Sequence, residues 1–244
     1  MARFLSLLLP SFLLGDLAVA DAMSLPAVEA QEDGTFLLGE IHFDPGTREI
    51  RLPARTGESD APLEYALVSV RGKVHETLLV TAVPPSHLQT ALLLCHYQPS
   101  TVILERPRLD NRGNPVRPLE EDERQGPRAA PPFESQMKIR LEWSDESGQL
   151  QSYPLSELIQ NQLTEAVIPD SPWIFTGSRF FEGGYMADIT GSIMATYLDA
   201  DALLNLSWGG NQDDENWFPR RDLLPPLTVK ATLVLTPLAL PEES

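Results

Sequence analysis

Glu76 and its neighbour His75 are the first residues whose types and positions could do chemistry. Two apolar runs, 63–70 and 73–81, flank Arg71-Gly72, and glycine in a two-residue loop supplies the positive φ that primed hairpin turns require. The spacing predicts an antiparallel hairpin. In that register Tyr65 and Leu67 share a face with Val74, Glu76, Leu78 and Val80, while His75 falls on the opposite face with Thr77 and Leu79. A carboxylate on the more apolar face either reaches a partner, such as Tyr65 or a Lys or Arg, or carries a raised pKa. Glu76 and His75 are therefore candidate acid/base groups. Asp188, between Ala187 and Ile189 in an expected strand, is the candidate orienting carboxylate.

Other reactive types are less suggestively placed. Ser178 and Ser192 each follow glycine, but neither stands in the G-x-S-x-G elbow that aims a serine nucleophile, so Gly-Ser reads as a turn or bulge. His42, His75, His87 and His96 follow no metal-binding spacing and Cys95 has no second cysteine, so neither a metal nor a cofactor is expected. From 207 to 226, Trp208 and Trp217 bracket a block of oxygen donors, Gly209 to Asn216. Such a loop could hold calcium, and its tryptophans could stack on a sugar or anchor a protein partner, although the calcium-loop spacing is absent. Trp208, Trp217 and Tyr65 are the candidate ligand-binding residues.

These groups need a scaffold. Pro84-Pro85 stops the second strand, and Ser86 with Gln89 has the form of a capping box. Leu88, Ala91, Leu92 and Cys95 follow at helical spacing, and Pro99 ends the element. A second hairpin is expected where 36–43 and 49–52 straddle Asp44-Pro45-Gly46. Met137, Ile139, Leu141 and Trp143 alternate with Lys138, Arg140 and Glu142, the pattern of a half-exposed antiparallel strand. Further strands are expected over 150–153, 173–176, 185–190, 192–198 and 227–236, with short helices after Pro154 and Asp199. The expected fold is α+β, a mainly antiparallel sheet with one principal helix packed on a sheet face.

Several blocks carry a resemblance to a known family. Glu64-Tyr65, Gly72-Lys73, His75-Glu76, Ser86-His87 and Ala91 to Leu94, then Trp173 to Ser178 and Tyr185 to Gly191, resemble the YdjY domain of exported bacterial proteins. The resemblance implies a single domain over 35–238 and no particular reaction. Where relatives tend to have Gly after the leucine run, this chain has His96. Some relatives carry a ferredoxin-like label, but the lone Cys95 cannot supply the cysteine set of an iron-sulfur cluster.

Arg3, an apolar run over 4–14, and Ala18-Val19-Ala20 before Asp21 form the three parts of a secretory signal peptide over 1–20. A flexible lead-in is expected over 21–34, and a disordered Pro-rich insertion over 106–132, where charged residues leave too little apolar surface to order the chain. The net charge of −17 argues against nucleic acid or anionic lipid as partners, and no membrane insertion is expected once the signal is cleaved. A secreted or periplasmic location follows. The favoured reading is a non-catalytic extracytoplasmic binding or scaffold domain for an unknown protein or small-molecule ligand. The alternative is a hydrolase-type enzyme using Glu76 or His75 with Asp188.

Overall fold

Ile50, Leu52, Ala54 and Thr56 alternate with more exposed neighbours, and Met137, Ile139 and Leu141 do the same until Glu142, which is buried. A strand with one buried face needs partners on both edges, and this chain supplies them by closing a sheet on itself. The computed structural model describes residues 25–104, 130–208 and 215–238. The expected signal peptide and residues 106–129 of the expected insertion lie outside the described residues.

In chain order the elements are β1 (Val28–Ala30), β2 (Phe36–Leu38), β3 (Ile41–Asp44), β4 (Glu49–Thr56), β5 (Tyr65–Ser69), β6 (Thr77–Thr81) and α1 (Pro85–Leu94). Then come β7 (Gln136–Ser144), β8 (Leu150–Pro154), β9 (Ile159–Asn161), β10 (Trp173–Phe175), β11 (Phe180–Phe181), β12 (Gly184–Tyr185) and α2 (Met186–Thr190). The last are β13 (Ser192–Ala195), β14 (Leu204–Leu206), β15 (Trp217–Pro219) and β16 (Ala231–Pro237). Eight strands close a barrel in the order β4, β16, β7, β10, β14, β13, β5, β6, with β6 returning to β4 through Arg55 opposite Val80 and Thr56 opposite Leu79. An eight-stranded barrel is just wide enough for side chains to fill, and Leu52, Leu67, Leu79, Leu141, Phe175, Met194, Leu204 and Leu233 belong to one buried core. The first half of β4 also pairs with β3, so β3, β2 and β1 extend the sheet beyond the barrel as a meander.

The expected α+β fold is overturned: the described residues are 38% strand and 12% helical around the closed barrel. The principal helix does form, but it leans on β3 and α2 and adds Leu88, Ala91 and Leu92 to the barrel's core, without a sheet face of its own. Smaller expectations also change. Val28–Ala30, inside the expected lead-in, forms edge strand β1 with all three residues exposed, so no periodicity announces it. Residues 186–190 are helical, stopped by Gly191 at φ 71°, and the segment after Asp199 turns into β14 without a helix.

The hairpin at Arg71-Gly72 is overturned as well. β5 and β6 are parallel, with Tyr65 opposite Thr77 and Leu67 opposite Leu79. Gly72 does not take a positive φ; it lies in a crossover over 70–76 that carries the chain back alongside β5. Seven residues reach about 23 Å, enough to return along a five-residue strand of about 17 Å. Both strands are buried at every position, the continuous pattern of parallel strands rather than the alternation of a half-exposed hairpin. A two-residue loop with positive φ at both positions occurs instead at Glu182-Gly183, between β11 and β12.

At the end of α1 the chain puts a histidine where glycine is the usual choice. His96 has φ 60°, its N–H donates to Leu93 O at 3.0 Å, and the Tyr97 N–H donates to Leu92 O at 3.0 Å. This is a Schellman C-cap, with His96 holding the left-handed position. His96→Gly should therefore stabilise the protein by about 0.5–1 kcal/mol, read as a higher urea midpoint at unchanged slope.

Candidate functional site

Because β5 and β6 are parallel, their first residues lie side by side, and so do the carboxylates that precede them. The Glu64 and Tyr65 N–H groups both donate to Glu76 O, at 3.0 and 3.1 Å. Lys73, on the crossover, pairs with Glu64 and lies 3.2 Å from Glu76 Oε2, while His75 Nε2 is 3.6 Å from Glu76 Oε1. Burial pushes both carboxyls up. At Glu76 the Lys73 ammonium outweighs burial and holds the group below its ordinary value. Glu64, which also faces the Glu76 charge, stays above its own. Glu76 is therefore not a carboxylate forced into an apolar face: it precedes β6, its side chain is 29% exposed, and it is paired with Lys73. Glu64, Glu76 and Glu215 line a cleft of about 260 Å³ with Ala61 and Pro62. Unequal carboxyls in one cleft are an acid/base pattern.

Asp188 is engaged at another place. Its Oδ1 accepts the Ser86 N–H at 2.9 Å, so a carboxylate from α2 caps the first turn of α1, which has no side-chain cap from Pro84. The expected Ser86–Gln89 capping box is replaced by this tertiary cap. Asp188→Ala should cost about 1 kcal/mol in urea unfolding, because it strips an acceptor from a helix N-terminus.

His87 follows Ser86, and burial lowers its pKa despite the opposing charge of Asp188. The folded state then binds fewer protons than the unfolded state around the ordinary histidine pKa of about 6.5. His87 thus favours folding above that value, and the advantage is lost as pH falls through its lowered folded pKa. His87→Gln should flatten the acid limb of a stability–pH curve below about pH 6.5.

The aromatic candidates are built into the walls. Tyr65 is buried, donates to Asp199 Oδ2 at 2.9 Å and lies 3.0 Å from the Tyr197 hydroxyl. Burial raises its pKa. Trp208 and Trp217 meet edge to face with ring centres 4.6 Å apart, and Trp208 Nε1 donates to Thr196 O at 3.0 Å. Trp217 is buried, so both tryptophans belong to the packed wall; residues 209–214 between them lie outside the described residues. Ser178 Oγ donates to Asp201 O at 2.7 Å and accepts the Ala187 N–H at 3.0 Å, which makes it a tie between α2 and the turn before β14. Burial pushes the Cys95 thiol up to about 12, which keeps it protonated. Among the described residues no cluster of three or more His, Cys, Asp or Glu could hold a metal ion, and no helix is long and apolar enough to cross a membrane.

Two surface features escape any reading of motifs. One is the outer face of the sheet where the meander leaves the barrel. His42 lies between Leu37 and Arg51 in register, along a cleft of about 660 Å³ that Asp33 and Pro53 also line. Arg51 is committed to Glu49 at 2.8 Å and to Glu142, and Arg140 Nε reaches Glu142 at 2.7 Å. Burial raises the Glu142 carboxyl, but the two guanidinium groups outweigh it and hold the group below its ordinary value.

The other is the β11–β12 hairpin, a two-stranded sheet separate from the barrel sheet. Tyr185 fastens its base, donating to Gly177 O at 3.1 Å. Phe180 is nevertheless 73% exposed, Phe181 54% and Ile189 61%. Ile189 covers Gly184, whose missing side chain leaves that space, and Phe181 pairs with Gly184 across the hairpin. The doublet Phe180-Phe181 beside Glu182-Gly183 was the available sequence signal, since apolar residues abutting a two-residue turn have little sheet to bury them.

No family model, curated protein or solved structure matches this chain. Its likeness to the YdjY domain therefore rests on the quoted blocks of sequence alone.

Proposed function

We propose that the chain is an exported, non-catalytic binding domain of YdjY type, a barrel that presents a partner surface on the β11–β12 hairpin and α2. The observation that carries this reading is the exposure of Phe180 and Phe181 on a hairpin whose base is tied down, and of Ile189 on the helix that follows it. Phe180 and Phe181, successive residues of one strand, face opposite sides of the hairpin, and exposed apolar side chains of this size concentrated on one element mark interaction sites. The leader and the charge of −17 support export and a soluble life. A photo-reactive phenylalanine at position 180 should give a discrete crosslinked adduct in the producing cells. The same probe at Leu150, equally open on β8, should not. No adduct beyond that control overturns the reading.

A hydrolase-type enzyme is the second reading, favoured by the unequal Glu64 and Glu76 carboxyls in one cleft. It uses Glu76 with His75 and leaves Asp188 to its helix cap. Turnover of any ester or amide substrate that disappears in Glu76→Gln, with folding intact, would establish it over the first.

A further inference from the structure

Three elements meet at His87, and one nitrogen of its ring has no partner there. His87 is the third residue of α1, whose first turn is held by α2 through Asp188 Oδ1 on the Ser86 N–H. On another side lies the turn between β2 and β3. A Cβ on Gly39, at φ 60° in that turn, would lie 3.3 Å from Pro26 Cγ and 3.8 Å from His87 Nδ1, so the turn is seated between the proline and the imidazole. The other ring nitrogen, Nε2, is buried and has no hydrogen-bond partner among the described residues.

A neutral imidazole tolerates this place, and an imidazolium does not. Once charged, both ring nitrogens are donors, and burying a charged donor that has no acceptor is costly. Few ionisable groups surround it. Residues 85–94 contain no other ionisable side chain and 25–27 contain none. From α2 the Asp188 charge favours the proton, but burial outweighs it, and Asp188 Oδ1 already accepts the Ser86 N–H at 2.9 Å. In the β2–β3 turn Glu40 is exposed and lines the outer cleft with His42 of β3, while Asp44 of β3 binds its own turn through Gly46 and Thr47. Water therefore receives the charge at least cost. The first turn of α1 is also the easiest part to open, because Pro84 gives it no side-chain cap, whereas Leu88, Ala91 and Leu92 hold the rest in the core.

We propose that His87 is an acid-released latch: protonation of its imidazole opens the first turn of α1 away from the β2–β3 turn and leaves the barrel closed. Gly39 also lines the outer cleft of about 660 Å³, so release frees one wall of that cleft. The closed form binds fewer protons than the open one around the ordinary histidine value of about 6.5, so opening grows as pH falls, about tenfold per pH unit until the folded value is reached.

The test is amide hydrogen exchange of the full chain at about pH 7.5 and about pH 5, with intrinsic rates divided out. The expected result at the lower pH is an about tenfold loss of protection at Ser86 and over 38–41, with Leu141 and Leu233 of the barrel unchanged. His87→Gln should remove the pH dependence. Asp188→Asn keeps an oxygen for the Ser86 N–H and removes the charge that favours the proton, so release should move to lower pH. A histidine that serves only to fill space predicts neither result. The imidazole titration of the parent chain, followed by NMR, needs no variant to fold, and its His87 midpoint should lie below about 6.5. A midpoint at or above that value overturns the latch, as does protection that is independent of pH in the parent. Equal losses in the parent and His87→Gln overturn it, and so does a loss shared by the barrel. Protection over 38–41 that persists while Ser86 opens shows that His87 does not hold the β2–β3 turn, which overturns it as well.

Discussion

Gly191→Ala should cost about 3–5 kcal/mol and lower the melting temperature by roughly 10 °C or more, the largest single-site effect expected outside the apolar core. Gly191 ends α2 at φ 71°, where any Cβ is strained. A Cβ there would also lie 2.4 Å from Gly72 N and 2.6 Å from Gly72 Cα. These are backbone atoms, which no rotamer change can move aside. The reciprocal contact is also too close, since a Cβ on Gly72 would lie 2.9 Å from Gly191 O. Ser69 N–H donates to Gly191 O at 2.8 Å, so the two glycines seat the 70–76 crossover on the turn that starts β13. Gly148→Ala is the control. Gly148 has φ 82° with nothing within 4 Å of a Cβ, so it should lose only about 1 kcal/mol. If urea midpoints of the two variants shift equally, the contact with Gly72 contributes nothing beyond backbone conformation.

That contact also explains why the sequence misled at the same glycine. Arg71-Gly72 between two apolar runs has the outward form of a hairpin turn, but Gly72 is needed for close approach to another backbone. Nothing local distinguishes these uses, because the partner glycine is more than a hundred residues away. The burial pattern was the better guide: 65–68 and 77–81 run apolar or β-branched without true alternation, as strands buried on both faces do. Where alternation is clean, over 136–143, the strand was legible, as was the reversal at Asp44-Pro45-Gly46 between β3 and β4. Helix α1 starts at Pro85, where the sequence reads as the stop of the preceding strand, and not after a Ser86 cap, but it was legible from the leucine spacing. Its cap was not, since Asp188 arrives from α2. The same non-local cause moved the candidate site: parallel pairing, invisible in the sequence, brings Glu64 beside Glu76 and puts Lys73 between them. Barrel closure depends on four residues at the ends of β4 and β6, and no periodicity announces a pairing of that kind.

The barrel contains a second parallel junction, and its weak point is Asn205. β13 and β14 are parallel, joined by a crossover over 196–203 that is about as short as the first; parallel neighbours usually need a dozen residues or more. Here a buried side chain holds the crossover. Asn205 is fully buried; its Nδ2 donates to Thr176 Oγ1 at 2.8 Å and to Asp199 O at 2.9 Å, and its Oδ1 accepts the Asp199 N–H at 2.7 Å. Asp199 in turn accepts from Tyr65, and Lys73 of the first crossover lies 5.8 Å from the Tyr65 ring centre. The two crossovers are thereby coupled through one tyrosine. Asn205→Ala should cost about 2–3 kcal/mol, because it leaves buried groups without partners. Asn205→Asp should cost more, about 4 kcal/mol, although its shape is the same: the new carboxylate replaces two donated bonds with lone pairs facing Thr176 Oγ1 and Asp199 O. Burial raises such a carboxyl, so the deficit of Asn205→Asp should shrink as pH falls and the group takes up a proton, while that of Asn205→Ala stays constant. Urea unfolding of both variants across that pH range separates the cases. An Asn205→Asp protein as stable as the parent at neutral pH would mean that the second junction is held by its backbone alone.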